Sequence, residues 1–328
     1  MPKQCLALTS ERTLLQETVD RVVPLVGSEH VLVVTGPDMA PAIREQLSEL
    51  PEGNVLVEPS GRNTAPCIAW ATVEVARRGG RTLAVLPSDH GIADVPRFRE
   101  VLSACFDAAE DSGRMVLLGQ TPTRPETGYG YLRVGEPQEH HGGEPFNGVA
   151  RFIEKPNREA AERMLREGGV LWNGGMFVWT VDAVTAGFDS HLPRTAAAMR
   201  ALHEGTAIDA VWTQMDATSI DYGVLEHCRE ELLVVPCAFG WTDLGSWPAV
   251  APYLGQGELG AAQVGAGVAI DGGGHIVYAP EKLVATLGVE DLIIVDTPDV
   301  LLVTRRDAAQ RIPELLKALK ARGAHRYL

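Results

Sequence analysis

Six short segments carry residue types that could do chemistry. Val57 leads into Glu58-Pro59-Ser60-Gly61-Arg62-Asn63-Thr64, a loop entering a helix. Its backbone N–H groups, guanidinium and amide suit a base edge or a phosphate. Leu86 leads into Pro87-Ser88-Asp89-His90. A carboxylate at a strand end suits Mg²⁺, a hard cation that prefers oxygen ligands. The plainer use of Asp89, or of Asp94 beyond it, is to cap the next helix. Glu126 precedes Thr127-Gly128-Tyr129-Gly130-Tyr131. Two glycines there permit close backbone approach to a ligand, and a carboxylate can accept paired hydroxyls, although an ordinary turn into a strand has the same spacing. Glu154-Lys155-Pro156 offers a phosphate anchor or a strand-end ion pair. Trp172-Asn173-Gly174-Gly175-Met176-Phe177 reads as another close-approach turn, and Gly240-Trp241-Thr242-Asp243-Leu244-Gly245-Ser246-Trp247 sets a carboxylate between aromatics, where burial favours pairing or metal ligation.

These segments need a scaffold, and the hydrophobic pattern supplies one. Apolar runs at 31–35, 55–58, 83–86 and 115–119 alternate with helical periodicity at 13–23, 40–50, 64–78 and 98–109. Short strands separated by helices indicate βαβ units and a sheet covered on both faces. Brändén's rule then puts ligands outside the carboxyl ends of the strands, where the first two segments lie. After Gln120 the pattern predicts paired strands at 128–134 and 149–154 around a polar loop holding His140 and His141, then helices at 158–166, 194–203 and 221–228. Beyond a boundary near residue 255 the chain turns glycine-rich and strand-like. Strands at 268–270 and 275–278 flank Asp271-Gly272-Gly273-Gly274, which reads as a hairpin turn, and Pro313 opens a last helix that Gly323 stops.

Composition excludes several classes of function. A net charge of −14 argues against nucleic-acid and anionic-membrane partners, whose phosphates such a surface repels. Five cysteines show no C-x-x-C pair and no zinc spacing, no 18-residue apolar run spans a membrane, and Met1-Pro2-Lys3-Gln4 leads into a short Leu/Ala stretch without a signal-peptide core. A cytoplasmic location is expected. There is no G-x-S-x-G elbow and no assignable Cys–His pair, so nothing supports a covalent nucleophile.

The order of these segments is more telling than any one of them. Pro2-Lys3-Gln4, Leu14-Leu15-Gln16-Glu17-Thr18, Gly61-Arg62-Asn63-Thr64-Ala65-Pro66, Pro87-Ser88-Asp89-His90, the 125–131 and 152–156 segments, Ile220-Asp221-Tyr222 and the 240–247 segment together resemble the mannose-1-phosphate guanylyltransferase family, nearly end to end. The chain is similar to short members without a cupin isomerase domain. The resemblance implies an α/β, Rossmann-like nucleotidyltransferase fold with a mixed, mostly parallel sheet over 1–255, and a small C-terminal β-rich region with a terminal helix over 256–328. It implies GTP and mannose 1-phosphate as substrates, GDP-mannose and pyrophosphate as products, Mg²⁺ as cofactor, and a homodimer as one assembly open to the chain. It assigns Asp89 and Asp243 to the metal and, with Lys3, to catalysis. Arg62, Asn63, Thr64 and Ser88 would line the nucleotide pocket; Glu126, Gly128, Glu154 and Asn173 would bind the sugar, and Lys155 its phosphate.

Family members place a strand and a glycine-rich phosphate loop just before the Pro-Lys-Gln element. A piece of roughly twenty residues is therefore expected ahead of Pro2. Several charge-assisted contacts of about 1.5–3 kcal/mol each go with it. The chain as given is expected to be slowed on the order of a thousandfold, or to bind sugar nucleotide without turning it over.

Overall fold

Polar side chains start four of the helices. Asn63, Asp94, Asn157 and Thr180 each accept a hydrogen bond from a first-turn amide, the N-cap arrangement that satisfies an otherwise orphaned donor. In the computed structural model, which describes residues 3–5 and 10–324, the elements run α1 (Leu14–Val26), β1 (Val33–Thr35), α2 (Ala40–Gln46), β2 (Val55–Val57), α3 (Thr64–Arg77), β3 (Thr82–Val85), β4 (Gly91–Ile92), α4 (Val95–Ser112), β5 (Met115–Gln120), β6 (Tyr131–His141), β7 (Glu144–Ile153), α5 (Arg158–Glu167), β8 (Val170–Thr180), α6 (Val181–His191), α7 (Pro193–His203), α8 (Ile208–Val211), β9 (Leu232–Cys237) and β10 (Trp241–Thr242). Then follow α9 (Trp247–Val250), β11 (Gly260–Val264), β12 (Gly267–Ile270), β13 (His275–Tyr278), β14 (Val284–Leu287), β15 (Leu292–Asp296), β16 (Leu301–Arg305) and α10 (Ile312–Ala321). Pro2 and the Leu/Ala stretch at 6–8 lie outside the described residues.

The chain forms two compact units. The larger joins Leu15–Ser88 to Ile92–Trp241. Its centre is β5, buried at all six positions. Alternation splits that strand between two layers: Met115 and Leu117 pack with Ile68, Trp179 and Phe188, whereas Val116 and Leu118 pack with Phe98, Leu102 and Phe146. The six-stranded sheet has the order β3-β8-β5-β9-β7-β6. It is mixed, with parallel pairing confined to β5 with β9; β8 enters antiparallel to both β3 and β5. Direction is set by β8, a long strand that fills the gap between two strands carrying the apolar runs. β1 and β2 form a separate parallel pair.

Along β5 and β8 the register jumps, because Leu117 opposes Phe177 but Gly119 opposes Asn173. The extra residues of β8 bulge at Gly174-Gly175, with Gly175 at φ 65°. The expected close-approach turn is therefore a bulge inside a strand. His140 and His141 end β6 rather than occupying a loop; the chain reverses at Gly142 and Gly143, both at positive φ. His141 sits between Asp111 (3.5 Å) and Glu139 (3.3 Å).

The second unit joins Asp89–Gly91 and the chain from Thr242 onward to the N-terminal residues before Leu15. Here the expected hairpin is wrong. β12 pairs in parallel with β14, and β13 in parallel with β11 and β15. Asp271-Gly272-Gly273-Gly274 is the corner of a parallel coil. A Cβ at Gly272 would collide with the Val289 carbonyl oxygen of the next coil, so glycine serves stacking here rather than a tight reversal. α10 ends ahead of Gly323, which is at φ 71°. No described helix is long and apolar enough to cross a membrane.

Candidate functional site

Lys3, Asp89 and Asp243 come together in the second unit although 86 and 240 positions separate the lysine from its two partners. Lys3 Nζ donates to Asp89 Oδ2 at 2.9 Å and also to the main-chain oxygen of Asp243. Small size brings the two loops together: a Cβ at Gly91 would lie 3.0 Å from Thr242 Cγ2. Asp243 Oδ1 accepts from Gly245 N at 3.1 Å, which shapes the turn. Leu244 between them adopts φ 47°, a left-handed conformation that costs a leucine on the order of 1–2 kcal/mol. Its side chain is buried with Leu14, Val250 and Ala251, and that packing offsets the strain. The Asp89 side chain is 39% exposed and Lys3 28%, so these charges face solvent within reach of one another.

These oxygens suit Mg²⁺. That ion keeps several waters and takes one or two carboxylates plus substrate phosphates, rather than a full cage of side chains. Among the described residues no group of three or more His, Cys, Asp or Glu forms such a cage.

A second group lies in the larger unit around the β8 bulge. Asn173 Nδ2 donates to Asp221 Oδ1 at 2.7 Å, and its Oδ1 accepts from Gly175 N at 3.1 Å. Lys155, at φ 46°, makes a 2.9 Å ion pair with Glu154 Oε1. The Glu154 side chain is only 7% exposed, and its Oε2 has no hydrogen-bond partner. A Cβ at Gly130 would collide with that oxygen. Burial pushes the carboxyls of Glu154 and Asp221 above the ordinary range; Lys155 pulls Glu154 back, and Asn173 does the same for Asp221. The Lys155 ammonium is held above its usual value by its bond to Glu154.

Glu126 and Gly128 belong to one loop. Glu126 Oε1 accepts from Gly128 N at 3.1 Å and Oε2 from Arg124 Nε at 3.2 Å, while Tyr131 Oη donates to the Glu126 carbonyl at 2.9 Å. The Arg124 guanidinium sits 5.3 Å from the Trp172 ring and 5.9 Å from Tyr129. In this state the Glu126 carboxylate shapes its own loop.

The loop before α3 is tied to a neighbouring segment. Arg62 Nη2 donates to the Met215 carbonyl at 2.7 Å, Trp212 Nε1 to Ser60 O at 2.8 Å, and Ile220 N to Thr64 Oγ1 at 2.9 Å. Asn63, at φ 72°, accepts from Thr64 N, and Ala65 N donates to Thr218 O. With these two amides taken and Pro66 lacking one, the α3 N-terminus is no anion cradle. Arg62 Nε is buried without a partner. Ser88 lies apart from that loop's bonds, on the wall of a cavity in the same unit.

Asp221, Arg124, Gly130 and Glu226, whose Oε1 accepts from Glu154 N at 3.2 Å, were not assigned roles from the sequence. Asp221 stands within a quoted segment, but nothing in its neighbours marks it as the partner of Asn173. Burial pushes the Cys67 thiol up to about 12, and the thiols of Cys5, Cys105, Cys228 and Cys237 are also raised, so none is primed as a nucleophile.

Comparison with known proteins agrees with this architecture. Residues 1–253 match the nucleotidyl transferase family, and residues 265–319 match a mannoseP isomerase/GMP-like beta-helix domain. The chain is 36% identical to xanthan biosynthesis protein XanB of Xanthomonas campestris, covering 98% of this chain and 69% of that protein. It is 33% identical to mannose-1-phosphate guanylyltransferase ManC of Salmonella typhimurium, covering 99% and 70%. Its fold is similar to a Thermus thermophilus structure described as a mannose-1-phosphate geranyltransferase, with a TM-score of 0.85 and 36% identity over 94% of this chain and 90% of that one.

Proposed function

The chain belongs to the nucleotidyl transferase family, and from that premise we propose that it is a mannose-1-phosphate guanylyltransferase. A phosphate oxygen of mannose 1-phosphate attacks the α-phosphorus of GTP, the bond to the β-phosphate oxygen breaks, and GDP-mannose and pyrophosphate leave. The observation that carries this reading is the gathering of Asp89 and Asp243 about the Lys3 ammonium. Such a reaction needs little covalent chemistry from the protein and much charge placement.

Asp89 and Asp243 hold Mg²⁺ in this reading. When bound, the ion supplies positive charge against the phosphate oxygens. Lys3 adds a second positive charge and, before substrate arrives, keeps Asp89 oriented. Arg62, Asn63, Thr64 and Ser88 recognise the guanosine; Arg62 does so from a guanidinium already braced on Met215. Lys155 takes the sugar phosphate. The unpartnered Glu154 Oε2 accepts a sugar hydroxyl, Asn173 is oriented toward the sugar by Asp221, and the Glu126–Gly128 loop completes the pocket. All five cysteines are thiols outside any disulfide, which fits a reducing compartment, so we assign the reaction to the cytoplasm.

A pyrophosphate-release assay across four nucleoside triphosphates and several sugar 1-phosphates tests the assignment. GTP with mannose 1-phosphate is expected to give the highest kcat/KM. Equal use of dTTP overturns the base assignment, and equal use of glucose 1-phosphate overturns the sugar assignment.

A further inference from the structure

α5 packs on the strands of the larger unit through Ala161 and Met164, beside Tyr131 and Ile153. Next to that apolar contact the same helix turns charge toward the sheet. Ala160, Arg163, Met164 and Glu167 share one helical face and line a cavity of about 390 Å³. Opposite them stand Arg133 of β6 with Arg151 and Ile153 of β7. Arg133 and Arg151 are direct partners in the antiparallel ladder, so the two guanidiniums leave one face of the sheet side by side. Like charges so placed destabilise a strand pair, and Arg163 adds a third from the helix.

The chain balances little of this charge itself. Glu167 Oε2 accepts from Arg133 Nη2 at 2.6 Å. Arg163 reaches Glu159 only at 4.0 Å, between two exposed side chains, where an ion pair is weak. The Arg151 guanidinium has no hydrogen-bond or ion-pair partner among the described residues. Three guanidiniums therefore face one carboxylate, in a chain whose net charge is −14. None of the residues assigned above to substrate lines the cavity.

These features specify an occupant. A surplus of two positive charges matches a dianion. Guanidiniums from three elements favour a tetrahedral phosphate, with oxygens in several directions, over a planar carboxylate that one guanidinium fork satisfies. Ile153, Ala160 and Met164 give the cavity an apolar wall that a bare inorganic anion would leave wet, and its volume falls within the range of small-molecule sites.

We propose that this cavity is a second ligand site, which takes a small organic phosphate monoester with its phosphate on Arg151 and Arg163 and its organic part on Ile153, Ala160 and Met164. The inference is independent of the reaction assigned above. Its test is calorimetric titration of the full chain with phenyl phosphate at about pH 8, where the monoester is a dianion. Inorganic phosphate and phenol, the two halves of the probe, are titrated at the same ionic strength. Phenyl phosphate is expected to bind at least about tenfold tighter than inorganic phosphate, phenol not measurably, and binding is expected to slow hydrogen exchange across 158–167. Arg151→Gln and Arg163→Gln are each expected to weaken phenyl phosphate by at least about tenfold. Without ligand, Arg151→Gln is expected to melt no lower than wild type, because it relieves the repulsion from Arg133. Equal affinity in wild type and both variants overturns the proposal; if Lys155→Met then abolishes binding, the phosphate sits at the sugar-phosphate site already described. Affinity no greater than that of inorganic phosphate also overturns it, since the apolar wall would then play no part.

Discussion

The two acidic groups of this protein are built on opposite principles. Around Asp89 and Asp243 the carboxylates are part-exposed, one ammonium meets the Asp89 carboxylate and the Asp243 main-chain oxygen, and the turns are held by packing beneath them. Around Glu154 and Asp221 the carboxylates are buried, pushed toward protonation, and balanced by one lysine and one amide. Solvated charges can exchange water and a lysine for an ion and phosphates at small cost. Buried ones cannot, and their partners must already be in place when the hydroxyls of a sugar arrive. The first group suits a charged ligand that brings its own counter-ion; the buried carboxylates of the second suit hydroxyls, with Lys155 at their edge for a phosphate.

That contrast predicts different signatures on mutation. Asp89→Asn or Asp243→Asn is expected to reduce turnover on the order of a hundredfold to a thousandfold, with the melting midpoint nearly unchanged because the side chains are solvated. Paired pyrophosphate-release and thermal-melting measurements separate the two effects. A large fall in midpoint with intact turnover would make this group a structural brace and erase the contrast.

Asn173→Ala should behave differently by moving both readouts. Loss of a charge-assisted hydrogen bond of about 1.5–3 kcal/mol corresponds to roughly a tenfold to hundredfold rise in KM for the sugar phosphate, with a smaller change in kcat. Asp221 then stays buried without its amide, so the midpoint falls as well. An unchanged sugar KM beside a lowered midpoint would reduce Asn173 to a support for the β8 bulge.

Lys155→Met probes the other half of the buried group. Glu154 is 7% exposed and would lose the cation in contact with it. The lysine itself is half exposed, so solvent screening limits the loss to about 1–2 kcal/mol. Without Lys155 the Glu154 carboxyl rises further. The destabilisation should therefore be small in acid, where Glu154 is protonated, and grow as pH rises through its elevated value. Melting at several pH values checks this, and a pH-independent loss would place the effect in packing.

Much of the scaffold was legible because burial leaves a strong pattern. The apolar run of β5 announces a strand covered on both faces, and Asp94 reads as a helix cap and is one. Direction and pairing were not legible. Asp271-Gly272-Gly273-Gly274 looks the same whether the chain folds back or turns a coil corner, since positive φ and close approach demand glycine in either case. The antiparallel entry of β8 depends on which gap the rest of the sheet leaves. In the site, Lys3, Asp89 and Asp243 were grouped through family resemblance; no local spacing relates residues 240 positions apart. Asp221 gave no signal because its role depends on the bulge that turns Asn173 toward it, and a two-residue register shift is invisible in sequence.

The smallest effect isolates the charge of Asp221 from its hydrogen bond. Burial raises its native carboxyl above the ordinary value of about 3.9. Between those two values the native state holds more proton than the unfolded chain, so the wild-type contribution is fully present below 3.9 and is lost as pH rises through the native value. Asp221→Asn keeps an oxygen for Asn173 Nδ2 and removes the titration. The variant should melt close to wild type at the acid end of the window and progressively above it as pH rises, with the gap constant beyond the native value. Taking the difference between the two proteins cancels the titration of carboxylates remote from Asp221; Glu154, which the Asp221 charge also pushes up, is relieved in the variant and adds to the gap in the same direction. Parallel melting curves across the window would show that Asp221 ionises in the native state at no cost, and the buried group would then differ from the Asp89–Asp243 group in position alone.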